Sequence, residues 1–109
     1  MSRSAAFFRS KAGRRDANHA AIRDGLRKLG HFVQDLAAVG DGCPDLMVIR
    51  SAGFSFVAGW LDATPVFLEL KAGRGKLRAS QLAWREQAEA RGIRVATVRT
   101  LDEALEALR

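Results

Sequence analysis

The chain has 109 residues, 48% of them hydrophobic, which is enough for one domain to bury roughly two-thirds of its unfolded surface. No apolar run approaches the ~18 residues of a membrane span, and a single cysteine excludes an intramolecular disulfide. That cysteine usage suits a reducing cytoplasm, and one cysteine with two histidines argues against a structural zinc site.

The net charge of +6 is unevenly spread. Arg3, Arg9, Lys11, Arg14 and Arg15 all precede the first acid, Asp16, so residues 1–15 read as a flexible basic arm ahead of a single domain over 16–109. A second basic stretch, Lys71, Arg74, Lys76, Arg78 and Arg85, runs with no acid between Glu69 and Glu86. Both clusters suit a phosphate backbone, with a solvated tail and a solvated loop as the alternative.

In chain order, Asp16 is an N-cap for a first helix reaching about Leu29. Ile22, Leu26 and Leu29 form its apolar stripe, Asn18 lies on the same line, and Gly30 is the C′ residue. A strand over His31–Leu36 follows. Gly40-Asp41-Gly42 makes a turn, and Pro44 extends Cys43 ahead of a second, nearly continuous apolar strand, Asp45–Arg50. Residues 51–65 carry Phe54, Phe56, Val57, Trp60 and Leu61, too much apolar surface for an ordinary loop; an extra strand pair and an arm packing on a second copy are both open. Val66-Phe67-Leu68-Glu69-Leu70-Lys71 is a strand whose alternation puts Phe67, Glu69 and Lys71 on one face. Beyond the loop Ala72–Lys76 a helix spans about Arg78–Arg91, its inward stripe Leu77, Gln81, Trp84 and Ala88. Gly92 ends it, Ile93–Val98 is a short buried strand, and Thr100 with Glu103 boxes the start of a last helix, Leu101–Leu108.

The chemistry gathers on the central strand. A strand this apolar is expected to be covered on both faces, where Glu69 and Lys71 need either each other or a ligand. Gly42-Cys43-Pro44-Asp45 supplies a second acid at the mouth of the preceding strand. Phosphodiester cleavage needs an activated water, charge neutralisation on the phosphorane oxygens and relief for the leaving oxygen. Mg²⁺ supplies much of this while taking only one or two protein carboxylates; Asp45 and Glu69 meet that requirement if the second and third strands are neighbours, which their short connection favours, and the Leu70 carbonyl could add a ligand. Lys71 is placed either to position and deprotonate the water or to stabilise developing charge. Gln81 is a lone amide on an otherwise apolar helix stripe, and such residues also occur there without function. Cys43 has no paired base and reads as a small packing residue.

Pro44-Asp45 followed by Glu69-Leu70-Lys71 resembles the PD-(D/E)XK nucleases. With Asp16-Ala17-Asn18, Val39-Gly40, Gly42, Leu46, Leu77, Gln81, Trp84 and the closing Val98-Arg99-Thr100-Leu101-Asp102-Glu103-Ala104-Leu105, the chain is similar to the virus-type replication–repair nuclease (VRR-NUC) branch, particularly its small stand-alone phage and prophage members. The resemblance implies an α/β fold with an α-β-β-β-α-β core, its mixed sheet flanked by helices. It implies Mg²⁺ or Mn²⁺ on the residues matching Asp45 and Glu69, a catalytic lysine and glutamine at Lys71 and Gln81, and DNA as substrate, with small members acting as dimers on branched structures. Three departures stand out: Asn18-His19 where many relatives carry an acid or glutamine, Arg78 where Ser or Thr caps the helix, and a longer insertion at 51–65.

The reading is therefore a cytoplasmic, bacterial or phage-encoded Mg²⁺-dependent endodeoxyribonuclease, selective for branched DNA or a four-way junction and homodimeric through 51–65. Asp45, Glu69, Lys71 and Gln81 carry catalysis, Asp45, Glu69 and Leu70 hold metal, Arg14, Arg15, Arg74, Lys76 and Arg78 bind DNA, and Asn18 and His19 are candidate accessory residues, with an ordinary surface histidine the favoured alternative for His19. The rivals are a catalytically silent DNA-binding module and a subunit that scaffolds a phage replication complex.

Overall fold

The computed structural model describes residues 18–52, 56–57, 60–73 and 76–109. Helix α1 covers 18–28; β1 is Phe32–Asp35, β2 Leu46–Ile49, β3 Phe56–Val57, β4 Trp60–Leu61 and β5 Val66–Leu70. Helix α2 is Ala79–Glu89, β6 Arg94–Val98 and α3 Leu101–Ala107. The main sheet runs β1-β2-β5-β6, antiparallel across the first two pairings and parallel between β5 and β6. This is the expected mixed α/β architecture, with β5 in the interior.

Period-2 alternation assigns the layers. Val33, Val48 and Val66 stand opposite one another in register, as do Leu46 and Leu68, and they form one core with Ile22 and Leu26 of α1 and with Ala104 and Leu108 at α3. The other face of β5 carries Phe67 and Glu69. Helix α2 covers it, with the Phe67 and Trp84 rings 5.1 Å apart at 59°. The stripe expected for α1 needs one correction: Leu29 is 51% exposed, because the helix ends at residue 28 and Gly30 (φ 95°) turns the chain away. The N–H groups of Gly30 and His31 return to the carbonyls of Arg27 and Leu26 in a Schellman closure. At the last helix the box is modified. Thr100 accepts from the Glu103 N–H, but the Glu103 carboxylate accepts from Arg99 N–H, one residue before the cap.

Of the two readings open for 51–65, the backbone is an extra strand pair: β3 and β4 form their own two-stranded antiparallel sheet. Behind it, buried Arg50 donates to Asp62 Oδ2 at 2.9 Å and to the Leu108 carbonyl at 3.3 Å, tying the insertion's exit to the end of α3. Hydrogen bonds from Thr64 and Arg50 hold the Asp62 carboxyl down at about 2.

Candidate active site

Asp45 and Glu69 reach one cleft because β2 and β5 are adjacent and because one loop is held against a helix. Gly42 has φ 80°, and a Cβ there would lie 2.2 Å from the Ser80 carbonyl oxygen in the first turn of α2. Only glycine permits that approach, which sets the Cys43-Pro44-Asp45 segment beside the residue that follows Ser80, Gln81. Asp45 Oδ2 accepts the Leu70 N–H at 2.8 Å, fastening the carboxylate across to the end of β5.

Gln81 is more than a polar residue on an apolar stripe. Its Oε1 accepts the Arg78 N–H at 2.7 Å, capping α2 where Arg78 itself offers no side-chain acceptor. That bond leaves Nε2 to donate to Glu69 Oε1. One amide thus supplies the N3 half of a capping box and orients a carboxylate.

Glu69 is 3% exposed, and its Oε2 accepts no hydrogen bond among the described residues. Burial, and next the Asp45 carboxylate, push its carboxyl up to about 7, against the pull of Lys71, Arg78 and Arg85. The ion pair weighed for Glu69 and Lys71 does not occur among the described residues at 4.0 Å or less. Lys71 lies one residue past β5 and lines the cleft instead. Burial, Glu69 and Asp45 push the Cys43 thiol up, in keeping with a packing residue.

This cleft of about 430 Å³ brings together Asp45, Glu69, Leu70, Lys71, Lys76, Arg78 and Gln81. A second, of about 410 Å³, shares Asp45 and Leu70 and is closed by Asn18, His19, Arg23 and Asp35. Asn18 and His19 therefore share a cleft with Asp45 but not with Glu69, whereas Arg14, Arg15 and Arg74 lie outside the described residues. Sequence reasoning missed Asp35 and Arg23. His19 Nε2 is 2.8 Å from Asp35 Oδ2, and Arg23 Nη1 donates to the same oxygen at 3.1 Å. Burial would raise the Asp35 carboxyl, but the Ala37 N–H, His19 and Arg23 outweigh it and hold it below the usual range. The only signal in the sequence was an acid closing an otherwise ordinary strand.

A divalent cation fits these residues. Two carboxylates face one cleft, one of them with a shielded oxygen that has no partner among the described residues. No group of three or more His, Cys, Asp or Glu side chains able to hold a metal occurs among the described residues.

A mixed sheet whose adjacent strands deliver Pro44-Asp45 and Glu69-Leu70-Lys71 beneath a glutamine-bearing helix has the PD-(D/E)XK restriction-endonuclease-like architecture. The VRR-NUC domain model matches residues 6–101, and the chain belongs to that family of nuclease domains. A solved structure described as a VRR_NUC domain is similar in fold, with a TM-score of 0.63 at 24% identity over 84% of this chain and 89% of that one. No curated protein matches the chain. Among the described residues no helix is long and apolar enough to cross a membrane.

Proposed function

We propose that the chain is a metal-dependent DNA endonuclease that hydrolyses phosphodiester bonds, with Asp45 and Glu69 as the carboxylates that hold Mg²⁺ or Mn²⁺ and the Leu70 carbonyl as a further ligand. The observation that carries the reading is the Glu69 carboxylate, buried beside Asp45 with one oxygen unpartnered among the described residues. A structural acid in that position would be costly; a metal ligand would not. When bound, the ion lowers the pKa of a coordinated water and offsets charge on the phosphate. Lys71 lines the same cleft without an ion-pair partner among the described residues, and its ammonium group meets the nucleophilic water or the developing phosphorane charge. Gln81 holds Glu69 in its rotamer.

The substrate class extends to branched DNA and four-way junctions, with a homodimer presenting two sites to a twofold-symmetric junction. The test is incubation with linear, nicked, flap and four-way-junction DNA in Mg²⁺, Mn²⁺ or EDTA. Cutting is expected only with metal and most rapidly on branched substrates. Intact DNA in every lane would reject the reading in favour of a silent binding or scaffolding module.

Exposed Lys76 and Arg78 at the cleft rim are assigned to the DNA backbone. Each neutralised duplex phosphate contributes ~0.9 to the slope of log affinity against log salt. Lys76→Gln with Arg78→Gln is therefore expected to flatten that slope by about 2, measured by anisotropy in EDTA. The Arg78 substitution leaves the backbone N–H that Gln81 accepts. An unchanged slope would remove these residues from the interface.

A further inference from the structure

The two clefts meet at Asp45 and Leu70, so a phosphodiester reacting beside Asp45 would have a cleft on each of two flanks. Lys71 and Gln81 line only one of them, and His19, Arg23 and Asp35 line only the other. In an in-line displacement at phosphorus, the attacking and leaving oxygens lie on opposite sides. If Lys71 meets the attacking water, one of the two roles given to it above, the leaving oxygen would lie on the His19 flank. Resting on the nuclease reading above, the geometry points to His19 as the residue that protonates the leaving oxygen, with Asp35 as its positioning residue.

The local chemistry supports this role. His19 Nε2 is committed to Asp35 Oδ2 at 2.8 Å, which fixes the ring and leaves Nδ1 as its second nitrogen. The His19 side chain keeps 16% of its accessible surface, so it is reachable from the cleft but largely shielded from competing water. Asp35 is itself fastened by the Ala37 N–H at 3.0 Å and by Arg23, so it is a fixed acceptor rather than a mobile surface acid. A carboxylate on one ring nitrogen stabilises an imidazolium whose other nitrogen gives up a proton. The charged groups around His19 are Asp35 from β1, Arg23 and Asp24 from its own helix, and Asp45 across the shared cleft.

In the step, a water oxygen bonds to phosphorus while the bond from phosphorus to the leaving oxygen breaks, its electron pair staying on that oxygen. Imidazolium Nδ1–H passes its proton to the leaving oxygen to form the alcohol. The proton shed by the attacking water goes to solvent, and neutral His19 is reprotonated from solvent. No oxidant, reductant or further reactant is needed.

The experiment compares kcat on a DNA with its ordinary bridging oxygen against DNAs carrying sulfur in place of the 3′ or the 5′ bridging oxygen at the cut position, all in Mn²⁺. A thiolate leaves without protonation. His19→Ala is expected to lower kcat on the oxygen substrate by about 10²–10³-fold, with KM for DNA unchanged, and to stay within about tenfold of wild type on the DNA whose leaving atom is sulfur. His19→Gln, which retains most of the side-chain volume, is expected to show the same split, and Asp35→Asn a smaller loss relieved in the same way. Equal losses on oxygen and sulfur substrates, or no loss on either, would overturn the assignment while leaving the nuclease reading standing. A wild-type protein that cuts none of these DNAs would overturn both.

Discussion

Glu69→Gln is expected to abolish cleavage and yet to stabilise the metal-free protein at pH 8. The folded carboxyl is raised to about 7 from an ordinary 4.5, chiefly by burial. Between those values the folded chain holds a proton that the unfolded chain has released. Stability therefore falls as pH rises from about 4.5, and the full cost is present above 7. The shift corresponds to about 3 kcal/mol. An amide of the same shape removes that cost, because its oxygen can still accept from Gln81 Nε2. Thermal unfolding in EDTA is expected to place the variant several degrees above wild type at pH 8 and level with it near pH 4.5. Adding Mg²⁺ or Mn²⁺ to wild type should close the gap at pH 8, since the ion supplies the missing counter-charge. A difference that is the same at both pH values would mean that Glu69 ionisation is not what destabilises the site.

Gly42→Ala is expected to cost both stability and cleavage. The new methyl carbon would fall 2.2 Å from the Ser80 carbonyl oxygen and 2.5 Å from its carbon, both backbone atoms that no rotamer change can clear. The φ of 80° adds left-handed strain of about 1–2 kcal/mol for a residue with a Cβ. Either the 42–45 loop or the first turn of α2 must move, and Gln81, next to Ser80, is then drawn off Glu69. Gly40→Ala is the matched control: its φ of 78° carries the same strain, but a Cβ there meets nothing within 4 Å among the described residues. The expected result is a modest fall in melting temperature for Gly40→Ala. For Gly42→Ala the fall should be at least twofold larger, with cleavage lost in the protein that remains folded. Equal effects at the two glycines would show that the approach to Ser80 does not hold the site together.

Much of this architecture could be read from residues alone, and the reasons are local. Alternation in Val66–Lys71 assigned Glu69 to a covered face, and helical spacing set Gln81 on the side of α2 that meets it. Glycines at 30 and 92 marked helix ends by their chirality requirement, with φ of 95° and 85°. What escaped was long-range or dual. The His19–Asp35–Arg23 cluster exists only because α1 lies across the end of β1, a relation no spacing encodes. Gln81 was legible as a site residue but not as an acceptor for the Arg78 N–H, because the missing cap at Arg78 does not by itself say which side chain folds back onto the helix start. Leu29 matched the stripe yet sits beyond the last helical turn, where periodicity no longer describes direction. The apolar insertion resolved into a strand pair at the backbone level, and Arg50–Asp62, which anchors its exit, gave no sequence signal because each is an ordinary charged residue until Arg50 is buried.

Calorimetric titration of Mn²⁺ into the DNA-free protein tests the central claim most directly, since it asks whether Asp45 and Glu69 form a metal site before any substrate is present. The account expects saturable binding by wild type, markedly weaker binding by Asp45→Ala, and the same by Glu69→Gln, with the fold of each variant intact by circular dichroism. Binding heats in both variants indistinguishable from wild type would contradict it.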